Sequence, residues 1–210
     1  MQAINKALEW ITKVAYLNML WIAFSILGCI VIGVFPATAA TFTVVRKWIT
    51  GYPDVAIFKT FWRAFRDSLK GANIIGYILL VFGYILYLDF LFITISENDH
   101  TLLLTIPFLF ISILFTLTVM YVFPVYVYYD MKILQVLKSA FFIMILNPLS
   151  TFVMILGMFG ILFVLWQFQG LAIFFSLSIL AIALMMPAHR AFKKIQEKQD
   201  FMKHEHLIEE

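Results

Sequence analysis

Asp89 is the residue in this chain whose type and setting come closest to chemistry. The stretch from Gly71 to Ser96 holds no other Asp or Glu and no Lys or Arg. A carboxylate in hydrocarbon is expensive, so it marks a proton, cation or sugar-hydroxyl site, or else a group that stays protonated or reaches the outer interface. At about 1.5 Å of rise per residue, Asp89 lies roughly 10 Å inward of Ser96. Tyr84, Tyr87, Thr94, Gln167 and Gln169 are neutral partners at similar depth. Asp89 with Gln167 and Gln169 is therefore the candidate solute or proton site.

A second set of residues is basic. Lys59, Arg63, Arg66 and Lys70 recur at alternating steps of four and three, each one residue after the apolar positions Phe58, Trp62, Phe65 and Leu69. Two adjacent stripes of this kind predict an amphipathic helix over 53–70, opened by Pro53 and Asp54. Such a helix lies in the inner membrane interface, its rings in the acyl boundary and its cations at anionic lipid headgroups. Phe58, Lys59, Trp62, Arg63, Phe65, Arg66 and Lys70 are thus candidate contacts for headgroups or for a partner.

Other chemistry is missing from the sequence. It has no Gly-rich phosphate loop, no His-Glu-x-x-His and no paired Cys or His at ligand spacing, so neither a metal nor a cofactor is expected. His204 and His206 stand two apart and would diverge on a helix. No nucleophile with a base is visible, and the chain does not read as an enzyme. The single Cys29 excludes an intramolecular disulfide and reads as a packing residue. The net charge of +3 does not call for nucleic acid, because the distribution of cations has a membrane explanation.

The elements that must carry these residues follow from composition. With 63% hydrophobic residues, 13% charged residues and a mean hydropathy of +0.97, the chain falls outside the range of soluble domains. Continuous apolar runs, rather than ten-residue alternation, predict an all-α polytopic transmembrane bundle. All 15 Lys and Arg fall into four clusters: Lys6 with Lys13, Arg46 to Lys70, Lys132 with Lys138, and Arg190 to Lys203. The positive-inside bias places all four in the cytoplasm and requires an even number of passages between them. Val14 to Val45, which has no charged residue or His, must go in and come back.

The expected order is 13–35 outward, 36–49 returning as a short helix or re-entrant segment, 72–96 outward, 101–128 inward, 139–165 outward and 169–188 inward. That makes five long spans plus one short return, six passages, with both termini cytoplasmic in a cell membrane. The outer connections are the turn at Phe35-Pro36, the acidic loop from Glu97 to His100, and Trp166 to Gly170. Residues 1–190 form one transmembrane domain and 191–210 a charged cytoplasmic tail. An apolar core of 22 residues before Pro36 is too long for a secretory signal, which spans about 7 to 15.

Three segments carry a family resemblance: Asn18-Met-Leu-Trp21, then Gly33-Val-Phe-Pro-Ala-Thr-Ala-Ala-Thr-Phe-Thr-Val-Val-Arg-Lys-Trp48, then Phe58-Lys-Thr-Phe-Trp-Arg-Ala-Phe65. They resemble the YesL-like bacterial membrane proteins, the family of domain of unknown function 624. The resemblance implies a Gram-positive setting beside genes for carbohydrate ABC importers and polysaccharide-degrading enzymes, and no known activity. It points first to an accessory component in contact with sugar importer permease subunits. The alternative is a stand-alone small-solute transporter using a midmembrane polar site around Asp89.

Overall fold

The computed structural model describes the backbone of residues 2–95 and 101–209 and the side-chain environments of 4–95 and 103–198. The acidic loop from Glu97 to His100 lies outside the described residues. Seven helices follow in order: α1 Gln2–Leu27, α2 Val34–Ile49, α3 Ile57–Ile95, α4 Thr101–Tyr128, α5 Ile133–Leu146, α6 Pro148–Gln167 and α7 Gln169–Glu209. No strand occurs among the described residues, and the fold is all-α. Five helices, α1, α3, α4, α6 and α7, are long and apolar enough to cross a membrane. Their exposed faces carry Leu80 and Phe92 on α3, Leu103 and Phe110 on α4, and Phe159 and Phe163 on α6. In water such surfaces would aggregate, whereas in lipid they are solvated.

The return arm of the first hairpin is shorter than a full crossing. α2 has 16 residues, about 24 Å, against a hydrocarbon core of about 30 Å. Its turn is pinned to α3, where Asn73 Nδ2 donates to the Ile32 carbonyl at 3.0 Å and the Tyr77 hydroxyl donates to the Val31 carbonyl at 2.7 Å. Beyond Tyr77, α3 continues to Ile95, a further stretch of about 27 Å, accompanied by α4 through Phe90 and Phe108. These lengths suit a re-entrant hairpin, which leaves the parity of the later spans unchanged.

The turn itself is tight. Cys29 and Ile30 both adopt positive φ, 52° and 62°, a conformation that costs side-chain-bearing residues about 1–2 kcal/mol each. Gly28 and Gly33 make it feasible, since a Cβ on Gly28 would lie 2.4 Å from the Gly33 Cα. Cys29 is exposed on this turn rather than packed, which corrects the reading from the sequence.

Two further boundaries differ from expectation. The amphipathic segment is not a separate helix over 53–70. It begins at Ile57 and runs without a break into the apolar half of α3. Pro53 and Asp54 form a turn instead, held to α1 by Lys13, whose ammonium reaches the Pro53 carbonyl at 3.2 Å and the Asp54 carboxylate at 3.0 Å. The span expected over 139–165 is divided at Asn147-Pro148 into α5 and α6. Pro148 has no N–H and excludes the helical conformation at Asn147, which sits at φ −127° and ψ 64°. The Met144 carbonyl, deprived of that donor, lies 3.2 Å from the Thr151 hydroxyl, which is also 2.9 Å from the Tyr121 hydroxyl. Asn147 Nδ2 donates to the Ile143 carbonyl, so the break is polar yet satisfied.

Candidate functional site

The first half of α3 has one face for the core and another for a cleft. Phe61, Ala64, Phe65, Ser68 and Ala72 are buried, and the small residues among them let α2 and α4 approach. At Gly71 an added Cβ would come within 2.6 Å of the Tyr126 hydroxyl of α4. Phe24 of α1 fits among Phe58, Phe61, Trp62 and Phe65, with ring centroids 5.1 to 6.4 Å away. Such offset and edge-on ring pairs contribute about 0.5–1.5 kcal/mol each beyond their burial. Phe65 is thus an internal packing residue and not a headgroup or partner contact as expected. The 3.6-residue period turns it further inward than Phe58 and Trp62, which remain 52% and 43% exposed.

On the flank of that core, α2, α3 and the end of α4 enclose an open cleft of about 580 Å³. Lys47 reaches it from the last turn of α2, where a cation suits the negative end of the helix dipole. Lys59 and Arg63 come from successive turns of α3. Asp67, Tyr126, Tyr129 and Asp130 share the wall with the hydroxyls of Thr43, Thr60 and Ser68. Burial pushes the Tyr129 phenol up from its ordinary value, with the neighbouring Tyr128 adding to the shift. Among the described residues, ion pairs join Lys13 to Glu9 and Asp54, and Lys193 to Glu197. Lys47, Lys59 and Arg63 take part in none of these.

Arg66 and Lys70 are exposed on the same helix and do not line the cleft. The Arg66 guanidinium lies 5.8 Å from the centre of the Trp62 ring. Arg46 turns the other way, half-buried, and donates to the carbonyls of Val127 and Tyr128, the last residues of α4. It caps a helix end whose carbonyls would otherwise lack partners.

Asp89 is exposed on the far half of α3, and Gln167 and Gln169 are exposed where α6 gives way to α7. Among the described residues no hydrogen bond joins the three, and none of them lines the cleft. Lys47, Asp67, Tyr126, Tyr129 and Asp130 went unnoticed as site residues in the sequence. The signal available was the run Tyr126-Val-Tyr128-Tyr129-Asp130, polar-tipped rings closing an otherwise apolar span.

The first resemblance segment has a structural role here. Asn18 is fully buried and grips the backbone of α7: Nδ2 donates to the Ile173 carbonyl at 2.8 Å, and Oδ1 accepts from the N–H groups of Leu177 and Ser178. Three residues on, Trp21 Nε1 donates to the Thr38 hydroxyl, which donates to the Val34 carbonyl. One helical turn of α1 thus ties down both α7 and α2.

The family model for a protein of unknown function, DUF624, matches residues 14–90, the stretch containing this tie, the hairpin and most of α3. The uncharacterized protein YesL of Bacillus subtilis (strain 168) is 36% identical over 94% of this chain and 93% of its own length. Two further uncharacterized proteins of that strain, YteU and YesV, are 34% and 31% identical over 90% and 92% of this chain, covering 85% and 93% of their own lengths. No solved structure matches. With full-length similarity of this order, and the family model over residues 14–90, the chain belongs to the YesL-like DUF624 family, whose function is unknown.

Proposed function

We propose that this protein is a non-catalytic component of the cell membrane that presents a basic cytoplasmic surface to the permease subunits of a carbohydrate ABC importer. The observation that carries this reading is the exposed stripe of Lys59, Arg63, Arg66 and Lys70 on a helix continuous with a membrane span. A stripe on a separate interfacial helix could slide or rotate in the headgroup layer. On α3 it is held at one height and azimuth by the aromatic packing around Phe24, as a docking surface requires. Both termini and all four basic clusters lie in the cytoplasm in this reading, and cations not engaged by a partner sit at anionic headgroups. The importer assignment draws on the genomic setting that the family resemblance implies, which is associational support.

The test is purification of the tagged protein from native membranes in mild detergent with mass spectrometry of what stays bound. Importer permease subunits in stoichiometric amount, lost when Arg66 and Lys70 are changed to Glu, are the expected result. Recovery of the protein alone from cells making the importer would contradict the reading. The competing carrier reading, built on Asp89, predicts that Asp89→Asn abolishes solute uptake while the protein still reaches the membrane. The accessory reading predicts no effect of that substitution.

A further inference from the structure

We propose that the cleft between α2, α3 and the end of α4 is a binding site for a phosphate group borne by a molecule with neighbouring hydroxyls. Three cations from two helices, Lys47, Lys59 and Arg63, converge on it without an ion-pair or hydrogen-bond partner among the described residues. None of the three is neutralised by an ion pair among the described residues, so all three charges are available to an anion. Arg63 offers a planar fork to two phosphate oxygens, while the lysines act as point charges. The hydroxyls of Thr60 and Ser68 also line the space and have no hydrogen-bond partner among the described residues.

Asp67 and Asp130 narrow the ligand class. Three cations against two carboxylates leave a net lining charge of only +1, too little to favour a bare polyanion. Carboxylates accept from hydroxyls, so Asp67 and Asp130 offer acceptors to alcohol groups on the same ligand. A volume of about 580 Å³ is in the range of small-molecule sites. The same chemistry occurs in a soluble phosphorylated polyol and in a lipid headgroup such as phosphatidylglycerol.

The experiment uses the full chain in a neutral maltoside detergent, titrated calorimetrically with glycerol 3-phosphate and, separately, with dioctanoyl phosphatidylglycerol. Glycerol and dioctanoyl phosphatidylcholine are the controls. Binding of the soluble probe identifies a soluble ligand, and binding of the lipid alone identifies a headgroup. In either case Lys59→Gln and Arg63→Gln should each weaken binding about tenfold, the loss of one charge-assisted hydrogen bond. Lys193→Gln removes the same charge elsewhere and should leave it unchanged. Unaltered unfolding of each variant without ligand establishes that it is folded. Absence of binding by both probes, or equal weakening by all three variants, would overturn the proposal. Binding in detergent requires neither a partner nor an orientation, so its failure leaves the importer reading standing, and loss of importer subunits leaves the site intact.

Discussion

Asn18→Leu tests whether the bundle is tied together where the structure places its knot. The amide makes three hydrogen bonds to α7, at 2.8, 3.0 and 3.2 Å, from a position with no solvent exposure. In water-soluble domains each such bond contributes about 1 kcal/mol net. Between membrane helices the average is nearer 0.6 kcal/mol, because the unfolded chain in lipid also finds partners. The lower value governs here, so the three together are worth roughly 2 kcal/mol. Leu is of similar volume and adds no cavity. In a chain of this size a loss of 2 kcal/mol corresponds to a midpoint about 4–8 °C lower. The assay is thermal unfolding in maltoside followed by fluorescence-detected size exclusion, with Asn73→Leu as reference. Asn73 makes two bonds to backbone carbonyls and should cost about two-thirds as much. Equal shifts for the two, or a drop at Asn18 below about 1 °C, would refute the reasoning.

Arg46→Gln should destabilise by about 1.5–3 kcal/mol, since it removes a charged donor from the last carbonyls of α4; Arg46→Lys should recover part of this in the same unfolding assay. Gly76→Val should lower the midpoint more than Gly160→Val, because a Cβ at Gly76 would meet the Phe35 ring at 2.2 Å whereas Gly160 faces open space. Tyr121→Phe should cost about 0.6 kcal/mol and Thr151→Val more, since Thr151 also bonds the Met144 carbonyl, and the double variant should cost less than their sum, as a double-mutant cycle would show for the shared bond at 2.9 Å. Native Cys29 should resist a membrane-impermeant maleimide added outside intact cells, because its turn ends level with Asn73 to Tyr77; rapid external labelling would mean that the hairpin crosses.

The helices were legible in the sequence where one physical signal dominated. Apolar runs of more than 20 residues could hardly be anything else, although Asn147-Pro148 divides one of them more sharply than a continuous span over 139–165 allows. The union of the amphipathic segment with the next span was not legible. Leu69-Lys70-Gly71-Ala72 contains no helix-stopping signal strong enough to decide either way, and tertiary packing against α2 chose continuity. The inward turn of Phe65 was lost for a related reason. A stripe marks an apolar face, but the part of that face meeting protein rather than lipid depends on the position of Phe24, forty residues earlier. The cleft was least visible, because Lys47 and Asp130 come near Arg63 only after three helices have packed.

The account rests most heavily on the basic half of α3 facing the cytoplasm while the α6–α7 junction faces outside. Single cysteines at Thr60 and Gln169, in a chain with Cys29 replaced, test this with an impermeant thiol reagent on intact cells and on inverted vesicles. Labelling at position 169 only in intact cells and at position 60 only in inverted vesicles is the predicted result. Labelling at position 60 from outside intact cells would contradict the account and remove the docking surface from the cytoplasm.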